Sequence, residues 1–119
     1  MVKSFRDLVV WQKSIQMAVL VYKLTQGFPK DELYGLTSQM RRAAVSVASN
    51  IAEGHGRNST KEYLRFLGIS RGSNYELQTQ IEIAKSLSFG DVKILTDVES
   101  LSHEVGKMIY GIQESLKVD

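Results

Sequence analysis

A chain of 119 residues, 43% hydrophobic and 24% charged, with a single proline, has the balance of an ordinary globular protein, not of a disordered or collagen-like chain. It has no cysteine, which excludes disulfides, thiolate metal sites and cysteine nucleophiles. With 15 Lys and Arg against 13 Asp and Glu the net charge is +2, too small to announce a nucleic-acid partner by itself.

The length predicts one domain over residues 1–119. No apolar run approaches the roughly 20 residues that span a bilayer. The opening MVKSFRDLVVW places Arg6 and Asp7 ahead of any long apolar stretch, unlike a signal peptide. The expectation is a cytoplasmic protein with no membrane partner. The charge is unevenly spread: residues 1–72 carry a balance of +6 and residues 73–119 one of −4. Either the helices of the two halves neutralise each other, or one face is basic enough to meet an anionic partner.

Apolar residues recur at helical spacing along almost the whole chain, and no segment alternates as a strand does. The first helix is predicted over about 7–26 with Asp7 as its N-cap. Leu8, Trp11, Ile15, Val19 and Tyr22 form one apolar stripe on it, and Val10, Met17, Val21 and Leu24 a second. That is more apolar surface than one neighbouring helix needs. Gly27-Phe28-Pro29 ends the helix, with Gly27 suited to a left-handed exit. The second helix is predicted over about 31–53, and the small residues of its second half permit close approach on more than one side. Gly54 to Asn58 could cradle an anion at the next helix N-terminus, but it reads better as a loop that ends one helix and starts the next, because phosphate-loop spacing is absent.

The third helix is predicted over about 59–88, opened by a Ser59/Glu62 capping box. Its apolar phase runs through Gly68 and Gly72, which predicts one helix with a close contact there. The fourth is predicted over about 91–117, capped by Asp91, with a seam of Ile94, Val98, Leu101, Val105, Met108 and Ile112. Four amphipathic helices joined by short links predict an all-α, antiparallel up-down-up-down four-helix bundle.

Catalytic patterns are missing. A di-iron bundle needs paired Glu-x-x-His motifs, and neither His55 nor His103 has a glutamate three residues before it. No arginine stands four to six residues ahead of either histidine, the spacing used by helical-bundle ribonucleases of the HEPN type. HExxH, Walker and GxSxG patterns are also lacking. The expectation is a chain that is not an enzyme, with no cofactor, no metal and no small-molecule substrate. A set of polar residues near the seams is more informative: Gln39, Arg42, Ser46, Asn50 and Glu53 on the second helix, and Ser73, Glu76 and Gln80 on the third. Charges near a core need partners. Antiparallel packing would pair Arg42 with Glu76 in a register-fixing network, and Glu76→Ala would then lower the melting temperature. The alternative is a lined pocket.

The string Phe28-Pro29-Lys30, Glu32, Tyr34-Gly35-Leu36, Gln39, Arg41-Arg42-Ala43, Ser46, Asn50-Ile51 and Glu53-Gly54 resembles the 23S rRNA-intervening-sequence proteins, also called S23 or four-helix-bundle proteins. Lys61-Glu62-Tyr63, Phe66-Leu67, Gly72-Ser73, Glu76-Leu77 and Thr79 are similar to the family's third-helix pattern, and Phe5, Leu8 and Trp11-Gln12 to its opening. Ser70 departs from it, standing where a small apolar residue such as alanine is expected. The resemblance implies a left-handed up-down bundle. It also implies a likeness to the accessory proteins of diversity-generating retroelements, pentameric barrels with a basic exterior that bind nucleic acid. On that basis the chain is expected to be a homo-oligomer, a pentamer by resemblance, binding RNA or DNA. Candidate phosphate contacts are Lys13, Lys23, Arg41, Arg57, Lys61, Arg65 and Arg71. No aromatic platform with adjacent basic residues stands out, so binding is expected to be electrostatic and weakly sequence-specific. The alternatives are a structural or protein-interaction module without a nucleic-acid role, and an enzyme or small-ligand carrier built on the inter-helix polar residues.

Overall fold

A computed structural model describes residues 3–117. The described residues form four long helices: α1 (Val9–Gln26), α2 (Ser38–His55), α3 (Thr60–Ser86) and α4 (Val92–Leu116). No strand occurs among the described residues. The helices pack into an elongated four-helix bundle of 48 × 22 × 21 Å. Cross-helix contacts give the chain directions. Arg41 near the start of α2 reaches Thr25 at the end of α1. Ser46 meets Ser73 while Ser70 meets Val47. Asn74 meets Ser102 while Arg71 meets Gln113. Lys13 of α1 meets Glu104 of α4, while Leu8 and Val10 lie beside Met108 and Ile112. Each neighbouring pair is therefore antiparallel.

One core runs the length of the bundle. Met17 and Leu24 of α1, Met40 and Ile51 of α2, Leu67, Leu77 and Ile81 of α3, and Ile109 of α4 are essentially inaccessible to solvent. Only one of the two α1 stripes is buried. Val10, Met17, Val21 and Leu24 face inward, Leu8 and Trp11 are half-buried, and Ile15, Val19 and Tyr22 stay 37%, 49% and 43% exposed. On α4 the innermost line is Leu95, Val98, Ser102, Val105 and Ile109, a small rotation from the expected seam. Ile94, Leu101, Met108 and Ile112 are only partly buried, and Met108 and Ile112 lie beside Leu8 and Val10 at the start of α1.

Helix starts depart from the expected positions for local reasons. Asp7 does not cap α1. Phe5–Asp7 forms a separate 3-10 turn capped by the Ser4 hydroxyl, which accepts from Arg6 N–H, while the Asp7 carboxylate accepts from Lys3 N–H. The Phe5 ring meets Trp11 edge-on at 5.1 Å and pins the turn to the helix. The second helix does not begin at Asp31. A 3-10 turn (Lys30–Glu32) and a wide turn (Leu33–Thr37) precede α2, with non-helical angles at Gly35. The Glu32 carboxylate accepts from Leu36 N–H and holds this break. Gly27 has φ −88°, so α1 leaves without a left-handed residue.

The expected loop at Gly54 is helical, since α2 continues to His55. A Cβ on Gly54 would stand 2.8 Å from Phe66 Cβ and 3.0 Å from Tyr63 Cδ1, so the glycine permits the close approach of α2 to α3. Gly68 and Gly72 lie within one continuous α3, but a Cβ on either would meet nothing within 4 Å, so the close contact expected there is absent. Ser59 accepts from Glu62 N–H as expected of a cap, but the Glu62 carboxylate turns to Arg65, leaving half of the capping box. Asp91 caps α4 by accepting from Ile94 N–H.

Candidate nucleic-acid interface

The seven candidate cations fall into two groups. Lys13 pairs with Glu104 at 3.1 Å, Arg57 with Glu53 at 3.4 Å and Arg65 with Glu62 at 3.2 Å. The hydrogen bond from Arg65 holds the Glu62 carboxyl below the usual carboxylate range. Arg57 and Arg65 also lie over the Phe66 ring, 4.9 and 4.5 Å from its centroid. Lys23, Arg41, Lys61 and Arg71 have no carboxylate within 4.0 Å among the described residues. The fold does not gather the seven into one patch on a single chain. Arg57, Lys61 and Arg65 cluster around the α2–α3 turn, Arg41 stands in the α1–α2 groove, and Arg71 in the α3–α4 groove.

Those two grooves hold cations and tyrosines together, which the sequence did not announce. The α1–α2 groove, about 550 Å³, is lined by Tyr22, Tyr34, Ser38, Arg41, Arg42, Val45 and Ser46. Arg41 donates through Nε to Thr25 Oγ1 at 2.9 Å and lies 4.6 Å from the Tyr22 centroid. The α3–α4 groove, about 410 Å³, is lined by Arg71, Asn74, Tyr75, Gln78, His103, Gly106, Lys107 and Tyr110. Among the described residues no carboxylate lines either groove. The expectation that no aromatic platform accompanies the basic residues is thus corrected. Residues one full turn apart on a helix, such as Arg71 and Tyr75, share a face, and the antiparallel partner helix supplies Lys107 and Tyr110. The spacing of Arg71 and Tyr75 was visible in the sequence, but the register between α3 and α4 was not.

The polar residues near the α2–α3 seam divide in two. Ser46 and Ser73 share a hydrogen bond of 2.8 Å, and the Asn50 amide donates to the Ser46 carbonyl and hydroxyl at 2.9 and 3.0 Å. Gln39, Arg42, Glu76 and Gln80 line a cleft of about 260 Å³ together with Ser46 and Ser73, without joining their hydrogen bonds. Arg42 and Glu76 are both exposed and form no ion pair, and Glu53 pairs with Arg57 outside the seam. Two buried polar contacts lie beyond the expected set. The Ser70 hydroxyl donates to the Val47 carbonyl at 2.8 Å. Asn74 and Ser102 exchange two hydrogen bonds across α3 and α4, and Gln78 donates to Ser102 Oγ. A serine or asparagine recurring at core spacing was the only signal for them.

The family model for 23S rRNA-intervening sequence proteins matches residues 6–111. The chain belongs to this family. The matched span includes every candidate cation and both tyrosine-bearing grooves. Among solved structures, a protein of unknown function from the S23 ribosomal protein family of Bacteroides thetaiotaomicron superposes with a TM-score of 0.78 at 21% identity, covering 88% of this chain and 98% of that one. That likeness shows the fold the family member shares with it. No curated protein matches the chain. Among the described residues no helix of this family member is long and apolar enough to cross a membrane.

Proposed function

We propose that this family member is a non-enzymatic, homo-oligomeric helical bundle of the cytoplasm that binds RNA or DNA through a basic surface with little sequence specificity. The observation that carries the proposal is the distribution of ion pairs. Among the described residues nine of the fifteen Lys and Arg have no carboxylate within 4.0 Å, and these include Arg41 with Arg42 in one groove and Arg71 with Lys107 in another. Uncancelled cations are free to neutralise phosphates, and a polyanion that displaces its counterions supplies affinity without reading bases.

Assembly is supported by the outer face of α1. Ile15, Val19 and Tyr22, at steps of four and three, keep an apolar stripe in water that a second copy would bury. A small bundle gains core by such association. A ring, a pentamer by resemblance, would repeat each open cation once per copy.

The test is light scattering on the pure protein, repeated with added RNA and with added DNA across a salt series. The expected outcome is an oligomeric mass and an affinity that falls steeply and log-linearly with salt. A monomer at micromolar concentration overturns the assembly. Undetectable binding at low salt by the assembled protein overturns the nucleic-acid role and leaves a structural or protein-interaction module, the function for which the apolar α1 face alone would argue.

A further inference from the structure

The α3–α4 groove offers more than charge. Arg71 is half-buried, and its Nε donates to the Tyr75 hydroxyl at 3.1 Å while a terminal nitrogen donates to Gln113 Oε1 at 3.2 Å. Its guanidinium carbon lies 5.6 Å from the Tyr75 centroid and 5.1 Å from that of Tyr110. Neutral partners thus fix the guanidinium in place, and among the described residues no carboxylate within 4.0 Å cancels its charge. Tyr75 and Tyr110 both line the groove and are 53% and 50% exposed, so neither is sealed off by its contact with Arg71. Lys107 and His103 stand on the opposite rim. The floor is polar and rigid, because Asn74 and Gln78 are both hydrogen-bonded to Ser102 of α4.

Two half-open aromatic faces, a preorganised guanidinium and a lysine, with no acid among them, suit one ligand chemistry: a nucleotide whose base is not paired. The base has a π-face for tyrosine to stack on, and the phosphate meets Arg71 and Lys107. A duplex hides its base faces and gains only the charge. An acidic peptide uses the cations and leaves the rings unused. We infer that the α3–α4 groove holds one unstacked base of a single-stranded RNA or DNA, so that the protein prefers single strands to duplex. This rests on the nucleic-acid role proposed above and adds to it a place and a strand preference.

The test is fluorescence anisotropy with a labelled 12-nucleotide oligouridine and a labelled RNA duplex of the same length. The proteins are the wild type, Tyr110→Leu and Tyr110→Phe, each checked for an unchanged melting temperature and mass. Tyr110→Leu removes the π-face but keeps apolar bulk, and it is expected to weaken single-strand binding roughly tenfold, in the range of one lost stacking contact. Duplex binding and the salt slope stay unchanged, because no charge is removed. Tyr110→Phe, which keeps the face, binds as the wild type does. Tyr75→Leu repeats the test from α3.

Single-strand affinity unchanged in both leucine variants overturns the inference, and so does an equal loss on single strand and duplex. A change of oligomeric mass in Tyr110→Leu overturns it as well, since the tyrosine would then join copies of the chain. If the wild type binds neither probe at low salt, the nucleic-acid role itself fails. If it binds both and neither leucine variant alters the balance, only the groove assignment fails.

Discussion

Arg42 and Glu76 stand on neighbouring helices and line the same cleft, yet both are exposed and no ion pair joins them. In water the attraction between two long charged side chains is small, and holding them together costs rotamer entropy. Charge complementarity in a sequence therefore does not locate a pair at the edge of a seam. Glu76→Ala is accordingly expected to change stability by no more than about 0.5 kcal/mol, read as an unchanged urea midpoint. A loss of several times that would restore the buried pair. Gly54 is the opposite case, a residue whose importance lies in what it lacks. The Cβ of Gly54→Ala would press on Phe66 and Tyr63, a strain that outweighs the roughly 1 kcal/mol gained in helix propensity. We expect a net loss of about 1–2 kcal/mol and a melting temperature lower by several degrees. A melting temperature at or above the wild type would show that α2 and α3 can part at little cost.

At the scale of elements, the bodies of the helices follow their apolar periodicity and their ends follow capping chemistry. Ser59 and Asp91 cap as their types predict. Asp7 does not, because Ser4 starts a 3-10 turn that uses the aspartate before α1 begins. The end of α3 is a Schellman motif: Phe89 N–H donates to the Ala84 carbonyl, Ser88 N–H to that of Lys85, and Ser88 adopts φ +57°. A serine there bears the left-handed penalty that glycine avoids. Ser88→Gly is expected to stabilise the protein by about 1 kcal/mol, seen as a higher melting temperature with unchanged mass. A fall in melting temperature would mean that the serine side chain contributes more than its backbone conformation costs.

At the scale of the molecule, the fold sets which charges and which apolar residues face outward. Ion pairs within the chain remove Lys13, Arg57 and Arg65 from the open set and leave Arg41 and Arg71 beside tyrosines. The exposed stripe on α1 bears on assembly. Val19→Asp puts a charge on that stripe without touching the core, since Val19 is 49% exposed. It is expected to lower the oligomeric mass in light scattering while leaving helical content intact. An unchanged mass would place the contact between copies on another face.

The four helices, their antiparallel order and the two-sided apolar surface of α1 were legible in the sequence, because side-chain periodicity is local and short links leave few ways to pack. The family was legible through particular residues, from Phe28-Pro29-Lys30 to Glu53-Gly54 and on through α3, and its model matches residues 6–111. The pairing of cations with acids, the Asn74–Ser102 contact and the meeting of Arg71 with Tyr110 and Lys107 were decided by tertiary structure alone. Each depends on the rotation and axial register of one helix against the next. A small rotation of α4 moves Ser102 into the core and Met108 toward α1, and apolar patterning tolerates that shift while hydrogen bonds and cation–ring contacts do not. The net charge of +2 was a property of the sequence. Which of those charges remain open to an anionic partner is a property of the fold.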